Sequence, residues 1–109
     1  LQALLRRASR VPDHISIGML TLDLSASIAE LNGRDLLLTQ KEFALLLIFV
    51  QNPKRYIDGE YLYEKVWNQP LSKDGNALKS SIKRLRSKIQ GSGWQIIWSR
   101  GEGYSLVKE

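Results

Sequence analysis

Residues 74–90, D-G-N-A-L-K-S-S-I-K-R-L-R-S-K-I-Q, decide the fold of this chain. Four aliphatic side chains recur in this stretch at positions i, i+4, i+7 and i+11, which is the spacing of one apolar stripe on an α-helix: Leu78, Ile82, Leu85 and Ile89. At about 100° per residue they fall within roughly 60° of one another. Asp74 stands where a residue would cap this helix. The stretch therefore predicts an amphipathic helix with a narrow buried side.

The remaining surface of this helix is cationic and polar. It carries five basic residues and no carboxylate after Asp74: Lys79, Lys83, Arg84, Arg86 and Lys88. An ordinary surface helix mixes both signs and gains i,i+4 ion pairs. Because this helix has no acid of its own, we expect its cations to lack internal partners and to face an external polyanion. The alternative is a basic face that is merely solvated.

The net charge of +5 is unevenly distributed along the 109 residues. Residues 11–72 contain five bases and eight acids, a net charge of −3, whereas residues 73–100 contain seven bases and one acid, a net charge of +6. This concentration of positive charge in the last third indicates an anionic partner.

Composition bounds the class of protein. The length predicts one domain, and 43% hydrophobic with 25% charged residues is typical of globular protein. The chain has no cysteine and one histidine, His14, which excludes disulfides, thiolate zinc sites, catalytic triads and multi-histidine metal sites. No apolar run has the length of a membrane span, and we expect no cofactor and a cytoplasmic location.

The N-terminal part is predicted to contain a helix end, a linker and a sheet. Residues 1–10 have helical composition without a start signal, and the segment Val11-Pro12-Asp13-His14 that follows ends the helical pattern. Residues 1–14 are therefore interpreted as the end of a missing upstream domain and a linker. From Ile15 the apolar period changes to two, which predicts four short antiparallel strands, the last around Leu36 and Leu38. Asn32-Gly33 predicts a two-residue hairpin turn.

Two further helices are predicted before the basic one. Thr39-Gln40-Lys41-Glu42 is a capping box, and the helix it starts stops at Pro53. Its predicted core stripe consists of Phe43, Leu46, Leu47 and Val50. Asp58 is predicted to cap the second helix, with Leu62, Val66 and either Tyr63 or Trp67 pointing inward.

The C-terminal segments W-Q-I-I-W-S and Y-S-L-V flank R-G-E-G, residues 100–103, and predict a β-hairpin with an arginine at the base of its tip. The expected fold class is α+β: a four-stranded antiparallel sheet, three helices and a hairpin, the arrangement of a winged helix-turn-helix. Such a fold places a helix in the DNA major groove and an arm beside it.

With these elements, the chain resembles the winged-helix effector domain of OmpR/PhoB-type response regulators over roughly residues 15–107. The motifs that carry the resemblance are L-T-Q-K-E-F-A-L-L, N-P-K-R, L-Y-E-K-V-W, I-K-R-L-R-S-K-I and S-R-G-E-G-Y-S-L. The resemblance implies that residues 1–10 end a phosphorylatable receiver domain. It also implies sequence-specific binding to promoter DNA by paired domains on direct-repeat half-sites.

The resemblance further implies site residues. The third helix would enter the major groove, and the arginine of R-G-x-G-Y would reach the minor groove. Together with the cationic stripe, this predicts the DNA-binding residues Asn76, Lys79, Ser80, Lys83, Arg84, Arg86 and Arg100. The loop before the helix would touch RNA polymerase through Asn68, Gln69, Pro70, Leu71, Ser72 and Lys73.

Some features depart from the family or leave alternatives open. The family often has R-T-V-D-V-H where this chain has N-A-L-K-S-S, so no relative's DNA sequence preference is transferred to this chain.

A second hypothesis is a protein-interaction module that uses the basic face for an acidic partner. An enzyme is not expected, because no nucleophile, base or metal ligand set accompanies Glu60 and Glu64. Trp67, Trp94 and Trp98 are expected to pack in the core or hairpin rather than stack on bases.

Overall fold

The structure is a computed structural model that describes residues 14–70 and 76–109. Within those ranges it contains six strands and three helices in the predicted order: β1 (His14–Ile17), β2 (Leu20–Asp23), β3 (Ile28–Leu31), β4 (Arg34–Asp35), α1 (Gln40–Gln51), α2 (Gly59–Trp67), α3 (Asn76–Lys88), β5 (Trp94–Ser99) and β6 (Gly103–Lys108). The predicted α+β architecture is confirmed. The interpretation of residues 1–10 and the capping role of Asp74 lie outside the described residues.

The N-terminal strands form one antiparallel sheet in the order β1-β2-β3-β4. Alternation along β2 and β3 buries Leu20, Leu22, Ala29 and Leu31 on the face that joins the core. Asn32 and Gly33 connect β3 to β4 with φ angles of 55° and 84°. Both turn residues thus have the positive φ that a two-residue hairpin requires, and the predicted turn is confirmed.

The fourth strand is shorter and earlier than predicted. It comprises Arg34 and Asp35, whereas the prediction centred it on Leu36 and Leu38. Leu37 has a φ of 56°, and its N–H donates to Asp35 Oδ1 over 2.8 Å. This local turn ends the ladder. Leu36 is buried, but Leu37, with its left-handed backbone, is 75% exposed.

Helix α1 begins at the predicted capping box. The Thr39 hydroxyl accepts from the Glu42 N–H over 3.1 Å, and Glu42 Oε1 accepts from the Thr39 N–H over 3.0 Å. Phe43, Leu46 and Val50 of the predicted stripe are buried and Leu47 is half-buried, while Leu45 and Phe49 beside the stripe are fully buried. The helix is therefore enclosed on more than one side.

Helix α2 lacks the predicted side-chain cap and packs through three buried side chains. Asp58 occupies the predicted cap position but makes no side-chain capping hydrogen bond. Leu62 and Val66 are buried as predicted, and of the two alternatives it is Tyr63 that is buried. Trp67 is half-buried and stacks on Tyr63, with ring centroids 4.8 Å apart.

Helix α3 and the β5–β6 hairpin complete the core. The predicted stripe of Leu78, Ile82, Leu85 and Ile89 is at most 3% exposed. The hairpin is tied to the segment between α1 and α2, because Ile57 and Tyr104 exchange backbone hydrogen bonds of 2.7 and 2.9 Å. In the described ranges, no helix combines the length and apolar character needed to cross a membrane.

Candidate nucleic-acid interface

The exposed face of α3 lies between two edges that pack against the rest of the domain. At about 100° per residue, Arg84 and Lys88 lie on the edge nearest Ser81, and Arg86 lies on the opposite edge nearest Ile82. Ser81 and Ile82 are both buried. The face between these edges carries Asn76, Lys79, Ser80, Lys83 and Ser87, all of which are exposed.

The first edge is anchored by a buried carboxylate on α1. Glu42 is fully buried, and its Oε2 accepts from Arg84 Nε over 2.9 Å while its Oε1 accepts from Lys88 Nζ over 2.8 Å. Lys88 Nζ also donates to the Leu37 carbonyl over 2.9 Å. The expectation that the α3 cations lack internal partners was wrong for Arg84 and Lys88, because the carboxylate comes from another helix.

The ionisation of Glu42 is governed by opposing effects. Burial raises the pKa of Glu42, but hydrogen bonds from Lys88, from the Thr39 N–H and from Arg84 outweigh it and hold the pKa below its ordinary value near 4.5. The carboxylate is therefore charged at neutral pH and forms a charge-assisted cluster with both cations.

This lowered pKa predicts acid sensitivity. A carboxyl whose pKa is depressed by folding stabilises the folded state fully above its unfolded-state pKa, and that stabilisation is lost as pH falls through the folded-state pKa. We expect the free energy of unfolding, measured with urea, to decline as pH is lowered below about 4.5. The Glu42→Gln variant, which cannot titrate at this position, should show a shallower decline. Equal declines would contradict this role for Glu42.

The second edge is anchored to the wing, the name used here for the hairpin β5–β6. Arg86 Nε donates to the Ile96 carbonyl on β5 over 2.9 Å. This bond uses one of five guanidinium N–H groups, so it fixes the plane of the group while leaving the two Nη atoms as further donors. Arg86 thus holds one edge of α3 and Arg84 the other, and the DNA contact of both residues stays a prediction.

Three predicted cations remain for an external anion. Within residues 14–70 and 76–109, Lys79, Lys83 and Arg100 form no ion pair, and all three are exposed. Arg100 is the first residue of the turn that joins β5 to β6. Ser80 is exposed between Lys79 and Lys83, and Asn76 is exposed at the first turn of α3.

Sequence reasoning missed Trp98. It was predicted to pack, as Trp94 and Tyr104 do, yet Trp98 is 58% exposed whereas Trp94 is 6% and Tyr104 is 9% exposed. Trp98 lines a groove of about 320 Å³ between α3 and the wing, with Lys79, Ile82, Arg86 and Tyr104. Strand alternation put Trp94, Ile96 and Trp98 on one face, but only the packing of α3 shows that the third of them is uncovered.

The predicted polymerase-contact loop is partly described. Asn68, Gln69 and Pro70 are exposed after α2, whereas Leu71, Ser72 and Lys73 lie outside the described residues. Its role stays a prediction. Across the described chain, no group of three or more His, Cys, Asp or Glu side chains is arranged to hold a metal ion.

The sequence of this chain is similar to a family of known proteins. Residues 33–106 match the family model described as "Transcriptional regulatory protein, C terminal". The chain is 35% identical to the regulatory protein VanRB of Enterococcus faecalis, over 97% of the chain and 47% of that protein. It is 38% identical to the response regulator MprA of a Mycobacterium species, over 97% of the chain and 49% of that protein. The chain thus spans about half the length of these relatives.

Solved structures agree in fold. The DNA-binding domain of CpxR from E. coli superposes with a TM-score of 0.79 at 26% identity, over 87% of this chain and 96% of that one. The RstA DNA-binding domain of Klebsiella pneumoniae, solved in complex with the RstA box, gives a TM-score of 0.77 at 22% identity, over 88% of this chain and 98% of that one. The latter identity supports the fold alone.

Proposed function

The chain belongs to the transcriptional regulatory protein C-terminal family, the DNA-binding effector domains of response regulators, and on that premise we propose how it engages DNA. Helix α3 enters the major groove of a promoter duplex, and the wing meets the adjacent minor groove or backbone. The family consists of transcription regulators, so the expectation that the domain is not an enzyme is confirmed.

The observation that carries this proposal is the division of the α3 cations by their partners. Arg84 and Lys88 are held by Glu42, and Arg86 is held by the wing, so these residues fix the orientation of α3. Lys79 and Lys83 project from the face between the two edges, where they bind phosphates. Arg100 adds a third exposed cation at the tip of the wing.

Sequence preference is proposed to come from the polar side chains on this face. Asn76 and Ser80 lie in the N-terminal half of α3, which in helix-turn-helix proteins contacts base edges. Asn pairs with adenine through two hydrogen bonds, whereas Ser can hydrogen-bond to several bases and does not discriminate among them. Arg84 and Arg86 contribute through the guanidinium N–H groups that their internal bonds to Glu42, Ser81 and Ile96 do not use.

The remaining features of the proposal follow from the family. In the full-length protein, residues 1–14 would end a receiver domain and a linker, and residues 15–109 would form the DNA-binding domain. Pairs of these domains would occupy direct-repeat half-sites, and residues 68–73 would meet RNA polymerase in the cytoplasm. Membership of the transcriptional regulatory family supports the duplex as ligand.

The test is fluorescence anisotropy of the domain on a random-sequence duplex across a salt series. Each phosphate contact contributes about 0.9 to the slope of log K against log salt. We expect the double variant Lys79→Ala/Lys83→Ala to flatten this slope by about 1.8, because neither cation forms an ion pair among the described residues.

A matched control removes the same charge elsewhere. The variant Arg34→Ala/Lys65→Ala takes one cation from the N-terminal sheet and one from α2, and we expect it to leave the slope close to that of the unaltered domain. If the two double variants flatten the slope equally, the α3 face is not the DNA surface. If an acidic protein or polymer of equal charge binds as tightly as the duplex, the rival protein-interaction function is favoured.

A further inference from the structure

We propose that Trp98 is a DNA-contacting residue and that the groove between α3 and the wing holds a sugar–phosphate segment of one strand, with a deoxyribose packed on the indole. This deepens the function proposed above and rests on it. Neither the sequence patterns nor the family motifs had assigned Trp98 to the site.

The exposure of Trp98 is the first argument. Trp98 lies at the end of β5 that is next to the tip of the wing, paired across the hairpin with Tyr104. Trp94 and Ile96 lie on the same face of β5 as Trp98, and both are buried. The Trp98 indole therefore extends this apolar face beyond the part that the rest of the domain covers. A large aromatic side chain left 58% exposed beside a binding face is typical of an interface anchor.

The chemistry of the groove is the second argument. Its inner part is apolar, formed by Ile82 and by the ring of Tyr104, and two cations, Lys79 and Arg86, also line it. A nucleic-acid backbone alternates an anionic phosphate with a sugar whose faces consist largely of C–H groups. The cations suit the phosphate, the indole face suits the sugar, and the indole N–H is a further donor to a phosphate oxygen.

The rigidity of the groove is the third argument. The Arg86 guanidinium is held by the Ile96 carbonyl at 2.9 Å, two residues before Trp98 on the same strand. The wing is in turn held to residue Ile57 through two backbone hydrogen bonds to Tyr104. Both walls of the groove are therefore fixed before DNA binds, which limits the entropy lost on binding.

The test separates an apolar contact from a charged one. We expect Trp98→Ala to weaken binding to a random-sequence duplex by about five- to tenfold at every salt concentration. The slope of log K against log salt should not change, because no phosphate charge is neutralised by an indole. Trp98→Phe, which keeps an aromatic face, should bind within about threefold of the unaltered domain.

A spectroscopic measurement reads the same contact directly. The difference between the tryptophan emission of the unaltered domain and that of Trp98→Phe isolates Trp98. We expect acrylamide to quench this component strongly in the free domain and several-fold less when the duplex is bound. The melting temperature of Trp98→Ala should equal that of the unaltered domain, because the side chain is mostly exposed.

The outcomes distinguish this inference from the proposed function. If the duplex binds but Trp98 stays equally accessible to acrylamide, the inference is overturned while the proposed function stands. If Trp98 becomes shielded without DNA as the protein concentration rises, its partner is a second copy of the chain and the inference is also overturned. If the unaltered domain binds no duplex at low salt, both fail.

Discussion

Replacing Glu42 with alanine is expected to lower the free energy of unfolding by about 2–4 kcal/mol. The carboxylate is fully buried and accepts hydrogen bonds from the Thr39 N–H, Arg84 and Lys88, two of which are charged donors. Alanine removes all three bonds and leaves a cavity between α1 and α3. Arg84 and Lys88 are 56% and 31% exposed, so water recovers part of their solvation and limits the loss.

Urea unfolding at neutral pH measures this loss of stability. Two control variants show how much of it is due to the charge of Glu42 and how much any glutamate-to-alanine change would cause. Glu42→Gln keeps the size of the side chain and its capping bond but not its charge, so it should lose about half as much. Glu64→Ala removes an exposed glutamate from α2 and should change the free energy of unfolding by less than about 0.5 kcal/mol. A cost for Glu42→Ala as small as that of Glu64→Ala would show that the cluster does not stabilise the domain.

Gly103→Ala is expected to cost about 2–4 kcal/mol and to weaken DNA binding. Gly103 has a φ of 111°, and a Cβ placed there would lie 2.7 Å from the Ile57 carbonyl carbon and 3.1 Å from Asp58 Cα. These are backbone atoms that cannot turn away as a side chain can. Alanine would therefore force the wing away from Ile57 and break the paired hydrogen bonds to Tyr104.

Gly101→Ala is the matched control for stability. Gly101 also has a positive φ, 80°, but a Cβ at this position would meet no atom within 4 Å among the described residues. It should therefore show only the cost of the left-handed backbone, about 1 kcal/mol. If both variants lose equal stability in urea unfolding, backbone conformation explains the effect and the close approach to Ile57 does not.

Much of the fold was predictable because its determinants are local in sequence. The apolar stripe of α3, the capping box at Thr39 and Glu42, and the Asn32-Gly33 turn each depend on residues a few positions apart. The misplaced fourth strand shows the limit of such patterns. Leu36 and Leu38 have strand-like spacing, but Leu37 between them has a positive φ, and its N–H donates to the Asp35 side chain instead of to a neighbouring strand.

The candidate site was predictable in part, because the charges of α3 are also local in sequence. Counting the charges on α3 located the cationic face, but the count could not say which cations are already bound within the domain. Glu42 lies 42 residues before Arg84 and 46 before Lys88, so no spacing rule connects them. The division between orienting residues and phosphate-binding residues became visible only once α1 and α3 were placed together.

Sequence alone determined the four N-terminal strands, the three helices and the wing that residues 14–70 and 76–109 form, with positive charge on the third helix, because backbone and side-chain preferences act over short distances along the chain. Only the tertiary structure decided that Glu42 binds two of those cations, that Gly103 meets Ile57, and that Trp98 is left exposed beside α3. These features depend on distances between segments remote in sequence, which are set by how the core packs.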